Sequence, residues 1–202
     1  SAATLTAAAE LSEGVLYVPV SSLEEGAAIA AGYPCCSFRG SIVALDAKSG
    51  EELWRRHFIP PAEQHGVNAA GTPQYGPSGV PIWAGMAMDA DHLYIATGAD
   101  YSGEGSETSD SIIALDKTSG RTVWVRQARF GDVWNGSCEN VDPVNCPEDN
   151  GPDYDYGAGP VISEDSQGRR IILAGDKGGV VTAMLAETGE SLWKTKVGRG
   201  GV

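Results

Sequence analysis

One sequence pattern returns three times and fixes most of what the chain can become. It reads SIVALDAKSGEELW from Ser41 to Trp54, SIIALDKTSGRTVW from Ser111 to Trp124, and VVTAMLAETGESLW from Val180 to Trp193. Each copy opens on β-formers, such as Ile42-Val43-Ala44-Leu45 and Ile112-Ile113-Ala114-Leu115. A polar residue and a glycine follow, at Ser49-Gly50, Ser119-Gly120 and Thr188-Gly189. Glycine has no Cβ to clash at positive φ, so this pair predicts a hairpin with a bulged turn. A tryptophan stands four residues after each glycine. That fixed offset argues for one repeated unit rather than three unrelated hairpins.

The tryptophans fall 70 and then 69 residues apart. A four-stranded propeller blade takes only about 40–50 residues, so each period holds a blade plus a long insertion. The strand signals agree. Apolar runs precede each copy (GVLYVPV, HLYIATG, RRIILAG), and weaker ones precede those (SAATLT, GMAMD, GAGPVIS). Four short strands per unit, three times over, predict an all-β chain of four-stranded antiparallel blades. Only SLEEGAAIAAG suggests a helical turn or two.

The turn pattern Ala-x-Asp-x-x-(Ser/Thr)-Gly followed by Trp resembles the tryptophan-docking repeat of the eight-bladed propellers of quinoprotein dehydrogenases. The stretches between the repeats look most like polyvinyl alcohol dehydrogenases and their relatives. The resemblance implies that Trp54, Trp124 and Trp193 are buried at equivalent positions between blades. A large flat side chain suits that task. The third copy departs from the pattern, with Leu185 where the others have Asp46 and Asp116, so its turn should lack one side-chain cap.

On this reading residues 1–202 form one partial propeller domain, about three blades of eight. The blades span about 1–60, 82–130 and 157–200, and inter-blade loops span 61–81 and 131–156. Residues 61–81 show no periodicity and read as an irregular surface loop. Three blades leave open sheet edges, which proteins avoid. Further blades, or a partner chain, are therefore expected to complete the ring.

Net charge is −13, from 27 acidic and 14 basic residues. That excludes nucleic acid and anionic membrane surfaces as natural partners, since both reward clustered Lys and Arg. No apolar run approaches the ~20 residues of a membrane span. Four cysteines suit two bridges and an oxidising compartment, periplasmic or extracellular. Cys138 and Cys146 enclose a short loop containing Pro143 and are expected to pair. Cys35 and Cys36 are adjacent and are either two thiols or a strained vicinal disulfide.

The resemblance implies a site for pyrroloquinoline quinone (PQQ) and Ca²⁺. It makes the Cys35–Cys36 disulfide a lid on the cofactor, Arg39 a partner for its carboxylates and Trp83 the floor beneath its ring. Glu24, with Ser21 and Ser22, stands where the family has a carboxylate ligand for Ca²⁺, and Glu25 is its neighbour. Ala99 stands where the family has a ligating asparagine, which leaves Asp100 to compensate. The family's catalytic aspartate falls on Asn135, which cannot accept a proton, so that role passes to Asp153 or Asp155. Lys177, beside Asp176, matches a family cation facing the cofactor. Glu148, Asp149, Asp153 and Asp155 read alternatively as a Ca²⁺ loop or as solvated acids. Asn135-Gly136-Ser137 is also a glycosylation sequon. His57, His65 and His92 show no ligand spacing and read as surface residues.

The implied activity is oxidation of an alcohol, polyvinyl alcohol among the possibilities. A carboxylate takes the hydroxyl proton, hydride passes to PQQ, and electrons leave to a cytochrome c. The other reading is a structural or protein-binding propeller, like the outer-membrane assembly lipoprotein that shares the repeat without a cofactor. This chain alone is expected neither to bind quinone tightly nor to turn over alcohol.

Overall fold

The computed structural model describes residues 3–200, and nearly all of its regular structure is antiparallel β. The first sheet holds β1 (Ala3–Thr4), β2 (Glu10–Ser12), β3 (Val15–Ser22), β4 (Ser41–Asp46) and β5 (Glu52–His57). Its order is β1-β3-β4-β5, with β2 also on β3. A single turn, α1 (Glu24–Ala27), follows β3. Next come β6 (Glu63–Val67), β7 (Pro73–Gly76) and β8 (Ser78–Gly79). The second sheet has β9 (Met86–Met88), β10 (His92–Ala96), β12 (Ser111–Asp116) and β13 (Thr122–Gln127), joined in that order. Between them β11 (Asp100–Ser102) leaves the sheet to pair with β8. The third sheet runs β14 (Val161–Glu164), β15 (Arg170–Gly175), β16 (Val180–Leu185) and β17 (Ser191–Lys196), each paired with the next.

The three copies of the repeat share one register. Ala44 faces Trp54, Ala114 faces Trp124 and Ala183 faces Trp193, and a bulge follows each pair. Gly50, Gly120 and Gly189 close the turns at φ +76°, +67° and +68°. Asp46 caps the first turn through the Ser49 N–H at 2.7 Å, and Asp116 caps the second through Ser119 N–H at 2.7 Å. The third keeps the backbone turn, with Gly189 N–H on Leu185 O at 2.8 Å, but Leu185 offers no side-chain acceptor.

Residues 61–81 differ from the irregular loop expected of them. Strands β6 and β7 form a hairpin, and β8 pairs with β11. The turn is organised by Asn68, whose side-chain oxygen accepts from Ala70 and Thr72 N–H at 2.9 and 3.0 Å. An Asx cap of this kind carries no hydrophobic period, so pattern reading passes over it.

The sheets are locked by the tryptophans. Trp54 Nε1–H donates to Lys117 O at 3.2 Å, and Trp124 Nε1–H donates to Ala186 O at 2.9 Å. Each acceptor lies in the next sheet's turn. A Cβ on Gly120 would stand 2.6 Å from the Trp54 ring, and one on Gly189 2.7 Å from the Trp124 ring. Tyr17 and Tyr94 pack beside these indoles, each at 6.0 Å between ring centroids. Two apolar clusters fill the interfaces: one around Ile42, Leu93 and Ile113, the other around Tyr94, Trp124 and Ile172.

Trp193 departs from the expected equivalence. It is 47% exposed, because no further sheet among the described residues offers it a turn. At the other end Gly50 has open space where a Cβ would go. The repeat is therefore directional: Trp54 and Trp124 each cover the glycine of the following sheet.

Replacing a buried aromatic by alanine costs about 3–5 kcal/mol, so Trp124→Ala should lose that much in urea denaturation. Trp193→Ala should change stability by only about 0.5 kcal/mol. Gly50→Ala should cost about 1–2 kcal/mol in backbone strain alone, and Gly189→Ala clearly more because the new Cβ meets the Trp124 ring. Equal losses within either pair would contradict directional docking.

Candidate functional site

Trp83 lies just before β9, Asp153 and Asp155 lie in the segment entering the third sheet, and Lys177 lies in the β15–β16 turn. The Trp54 and Trp124 interlocks bring these segments together. Trp83 Nε1–H donates to Asp155 Oδ2 at 2.9 Å, and Ala99 N–H donates to Asp155 Oδ1 at 2.9 Å. Lys177 Nζ sits 2.9 and 2.8 Å from the two oxygens of Asp153 and 3.5 Å from Asp155 Oδ2. It also stands 5.4 Å from the centre of the Trp83 ring, a cation over an aromatic face. Close backbone packs the indole: a Cβ on Gly98 would lie 3.0 Å from Trp83 Nε1, and one on Gly157 3.1 Å from its ring.

Asp132 anchors the loop from below. Its oxygens accept from Asp153 N–H at 3.0 Å and Tyr154 N–H at 2.9 Å. Asp153 itself takes φ +60°. Burial, then the neighbouring Asp155 charge, push the Asp153 carboxyl up to about 7, although Lys177 opposes them. Burial pushes Lys177 down, but Asp155, Asp153 and Glu25 outweigh it and its net shift is upward. Burial and Asp155 also raise Glu25.

The sequence reading missed Asp110. It is fully buried, has φ +47°, and neither carboxylate oxygen has a hydrogen-bond partner among the described residues. Burial, with Asp155, Asp132, Asp100 and Asp153 behind it, pushes its carboxyl up to about 9. Burial and the neighbouring carboxylates thus favour the neutral acid at Asp110. A signal existed: the residue before the repeat is Gly40 in the first copy and Gly179 in the third, but Asp110 in the second. A carboxylate at a glycine position of a repeat is a departure that calls for a reason.

The other expected residues have partners of their own. Cys35 and Cys36 are joined to each other, and Cys138 to Cys146. The vicinal pair is wholly buried in a cluster with Ala28, Phe38 and Tyr101, and Tyr101 lies within electrostatic range of Asp153 and Asp155. Arg39 lines a cleft of about 250 Å³ with Arg55 and His57 on the first sheet. Glu24 clamps the cysteine loop: its oxygens accept from Tyr33 O–H at 2.9 Å, Ser37 N–H at 2.9 Å and Phe38 N–H at 2.6 Å. Asn135 is also buried. Its amide donates to Tyr101 O and Asn145 O at 2.9 Å each, so it cannot serve as a glycan acceptor. His57 and His92 are half-buried rather than on the surface, and His92 lies 3.5 Å from Asp89.

The donor set does not fit a calcium-type ion, which takes about six to eight oxygens. Glu24 is committed to protein donors, and Ala99 has no ligating atom. Asp100 offers only Oδ1, because Oδ2 accepts from Ser106 N–H at 2.6 Å. Burial raises this carboxyl to about 6. Among the described residues no group of three His, Cys, Asp or Glu side chains is arranged to hold a metal ion. The Trp83–Lys177 pair, an aromatic face with a cation above it, does suit a planar group bearing anionic or carbonyl oxygens.

Residues 17–142 match the family model described as glucose/ethanol/alcohol dehydrogenase, β-propeller domain. The polyvinylalcohol dehydrogenase of Pseudomonas sp. is 36% identical over 193 residues, covering 93% of this chain. That of Sphingopyxis sp. is 33% identical over 194 residues, also covering 93%. The chain spans 30% of the length of each relative. The quinohemoprotein alcohol dehydrogenase of Comamonas testosteroni superposes with a TM-score of 0.67 at 21% identity, covering 96% of this chain and 28% of that one. A europium-containing methanol dehydrogenase gives a TM-score of 0.65 at 18% identity, covering 96% and 34%. These two likenesses establish the shared propeller fold.

The buried acids set a pH dependence. Asp110 is protonated in folded and unfolded chains alike below the ordinary carboxylate range near ~4. Above it the unfolded chain releases the proton while the fold holds it to about 9, so stability falls as pH rises across that window. Asp153 acts in the same direction up to about 7. Asp110→Asn removes the larger contribution. The melting temperature of the variant relative to wild type should climb between pH 5 and pH 9. A pH-independent difference would show that Asp110 is ionised in the fold.

Proposed function

Because the chain belongs to the PQQ-dependent glucose/ethanol/alcohol dehydrogenase propeller family, we propose that it supplies part of the active site of a quinoprotein oxidising a polymeric secondary alcohol. The carrying observation is Lys177, held between Asp153 and Asp155 above the Trp83 ring. The polymer is suggested by the likeness to the polyvinylalcohol dehydrogenases of Pseudomonas sp. and Sphingopyxis sp., at 36% and 33% identity. Electron transfer to a cytochrome c and a periplasmic or extracellular location belong to the same reading, the latter supported by the Cys138–Cys146 bridge. No helix of the described residues is long and apolar enough to cross a membrane.

PQQ, when bound, supplies the two-electron redox chemistry. The chain's own residues supply placement and proton handling. Trp83 offers the planar platform, and Lys177 a positive charge for an electron-rich oxygen. Asp153 accepts the substrate hydroxyl proton. Its carboxyl lies at about 7, where a general base works best at neutral pH. Asp155 is the positioning residue: it holds the Trp83 indole and the Ala99 backbone at once. The remaining blades of an eight-bladed ring, or a partner chain, complete the walls.

A second reading, a non-catalytic propeller, draws on Asn135, whose side chain is consumed by backbone partners at the place of the family's base. The two part on one experiment with the full-length protein reconstituted with PQQ. Dye-linked oxidation of a polymeric secondary alcohol should rise with pH through about 7 as Asp153 ionises. Asp153→Asn should lower kcat by about 10²–10⁴-fold and remove that limb, with KM little changed. Absence of turnover, or an unchanged profile in the variant, would favour the structural reading.

A further inference from the structure

The charges around Trp83 are oddly apportioned. Among the described residues Asp153, Asp155 and Glu25 act on one cation, Lys177, and Asp110 feels Asp155, Asp132, Asp100 and Asp153. The ammonium has three N–H donors, and all have carboxylate oxygens in range: both of Asp153, and Asp155 Oδ2 at 3.5 Å. Asp155 spends its oxygens on Ala99 N–H and Trp83 Nε1–H. An ion arriving here would find few free oxygens and a like charge already seated. Ala99, buried beside this seat, contributes only a methyl group.

We infer that the Lys177 ammonium is the built-in cation of this site, filling the seat between Asp153, Asp155 and the Trp83 ring that a metal ion would otherwise take. The site then holds no divalent or trivalent metal, and a bound ligand meets a fixed ammonium in its place. A lysine here is a positioning residue: it fixes both carboxylates and caps the aromatic face. The functional meaning rests on reading this cluster as the cofactor site. The charge assignment does not, so its test needs no quinone and can fail separately.

Terbium(III) serves as the probe, because its emission is sensitised by a nearby indole. Wild type, Lys177→Met and Lys177→Arg are titrated with terbium alone, and Trp83→Phe in each background isolates emission that depends on Trp83. Wild type and Lys177→Arg should show no Trp83-dependent emission. Lys177→Met should gain one such site, with affinity raised about tenfold or more, since one like charge at contact range has been removed. Calcium should compete for it. Trp83-dependent emission from wild type would overturn the inference, and so would a folded Lys177→Met variant that gains no site. Should the methionine variant not fold, Lys177→Gln replaces it with the same expectation, and Trp83-dependent emission from wild type refutes the inference in either case.

Discussion

The hydrogen bond from one sheet's indole to the next sheet's turn carrying the structure's order is short in reach and strict in direction. Trp124 Nε1–H meets Ala186 O at 2.9 Å only because Gly189 leaves its face bare for the ring. The indole thus sets both the spacing and the rotation of neighbouring sheets. A buried N–H left without an acceptor costs about 1–3 kcal/mol, so a sheet that slipped would lose the bond as well as the packing. With the spacing fixed, the segments crossing between sheets arrive at fixed places. Trp83, Asp155 and Lys177 come from three different segments, and the interlock makes them neighbours.

That cluster shows how an acidic chain tolerates buried acids. Asp132 spends its charge on backbone N–H donors, and Asp153 and Asp155 share one ammonium. Asp110, with no donor among the described residues, is pushed toward its neutral form instead. These are the available answers to burying a carboxylate: hydrogen-bond it, pair it or neutralise it. The third leaves the fold sensitive to pH, whereas the first two leave it sensitive to substitution of the partner. Working together they place a carboxyl of near-neutral pKa, Asp153, near the lysine that stands over the Trp83 ring.

The fold was legible in the sequence because the repeat encodes it locally. Gly50, Gly120 and Gly189 announced the turns, and the tryptophan four residues on announced the docking. The exposure of Trp193 was not legible from the pattern, since it depends on what lies beyond the sheet rather than on the repeat. The site was only partly readable. Trp83, Asp153, Asp155 and Lys177 could be singled out, but their meeting depends on inter-sheet geometry. Glu24 illustrates the converse: its sequence position suggested a ligand, yet the loop folds back and fills both its oxygens with N–H and O–H donors. Hairpin β6–β7 escaped notice because an Asn cap, not an alternating pattern, holds its turn.

Hydrogen exchange at the individual indole N–H groups tests the interlock most directly. Assigned proton–nitrogen spectra can follow Trp54, Trp83, Trp124 and Trp193 in deuterium oxide. The buried Trp124 indole, bonded to Ala186 O, should exchange slowest, with Trp54 and Trp83 also protected by their acceptors on Lys117 and Asp155. Trp193, half in solvent, should exchange at once. Protection of Trp193 equal to that of Trp124, or rapid exchange at Trp124, would contradict a fold ordered by tryptophans that each cover the next sheet's turn.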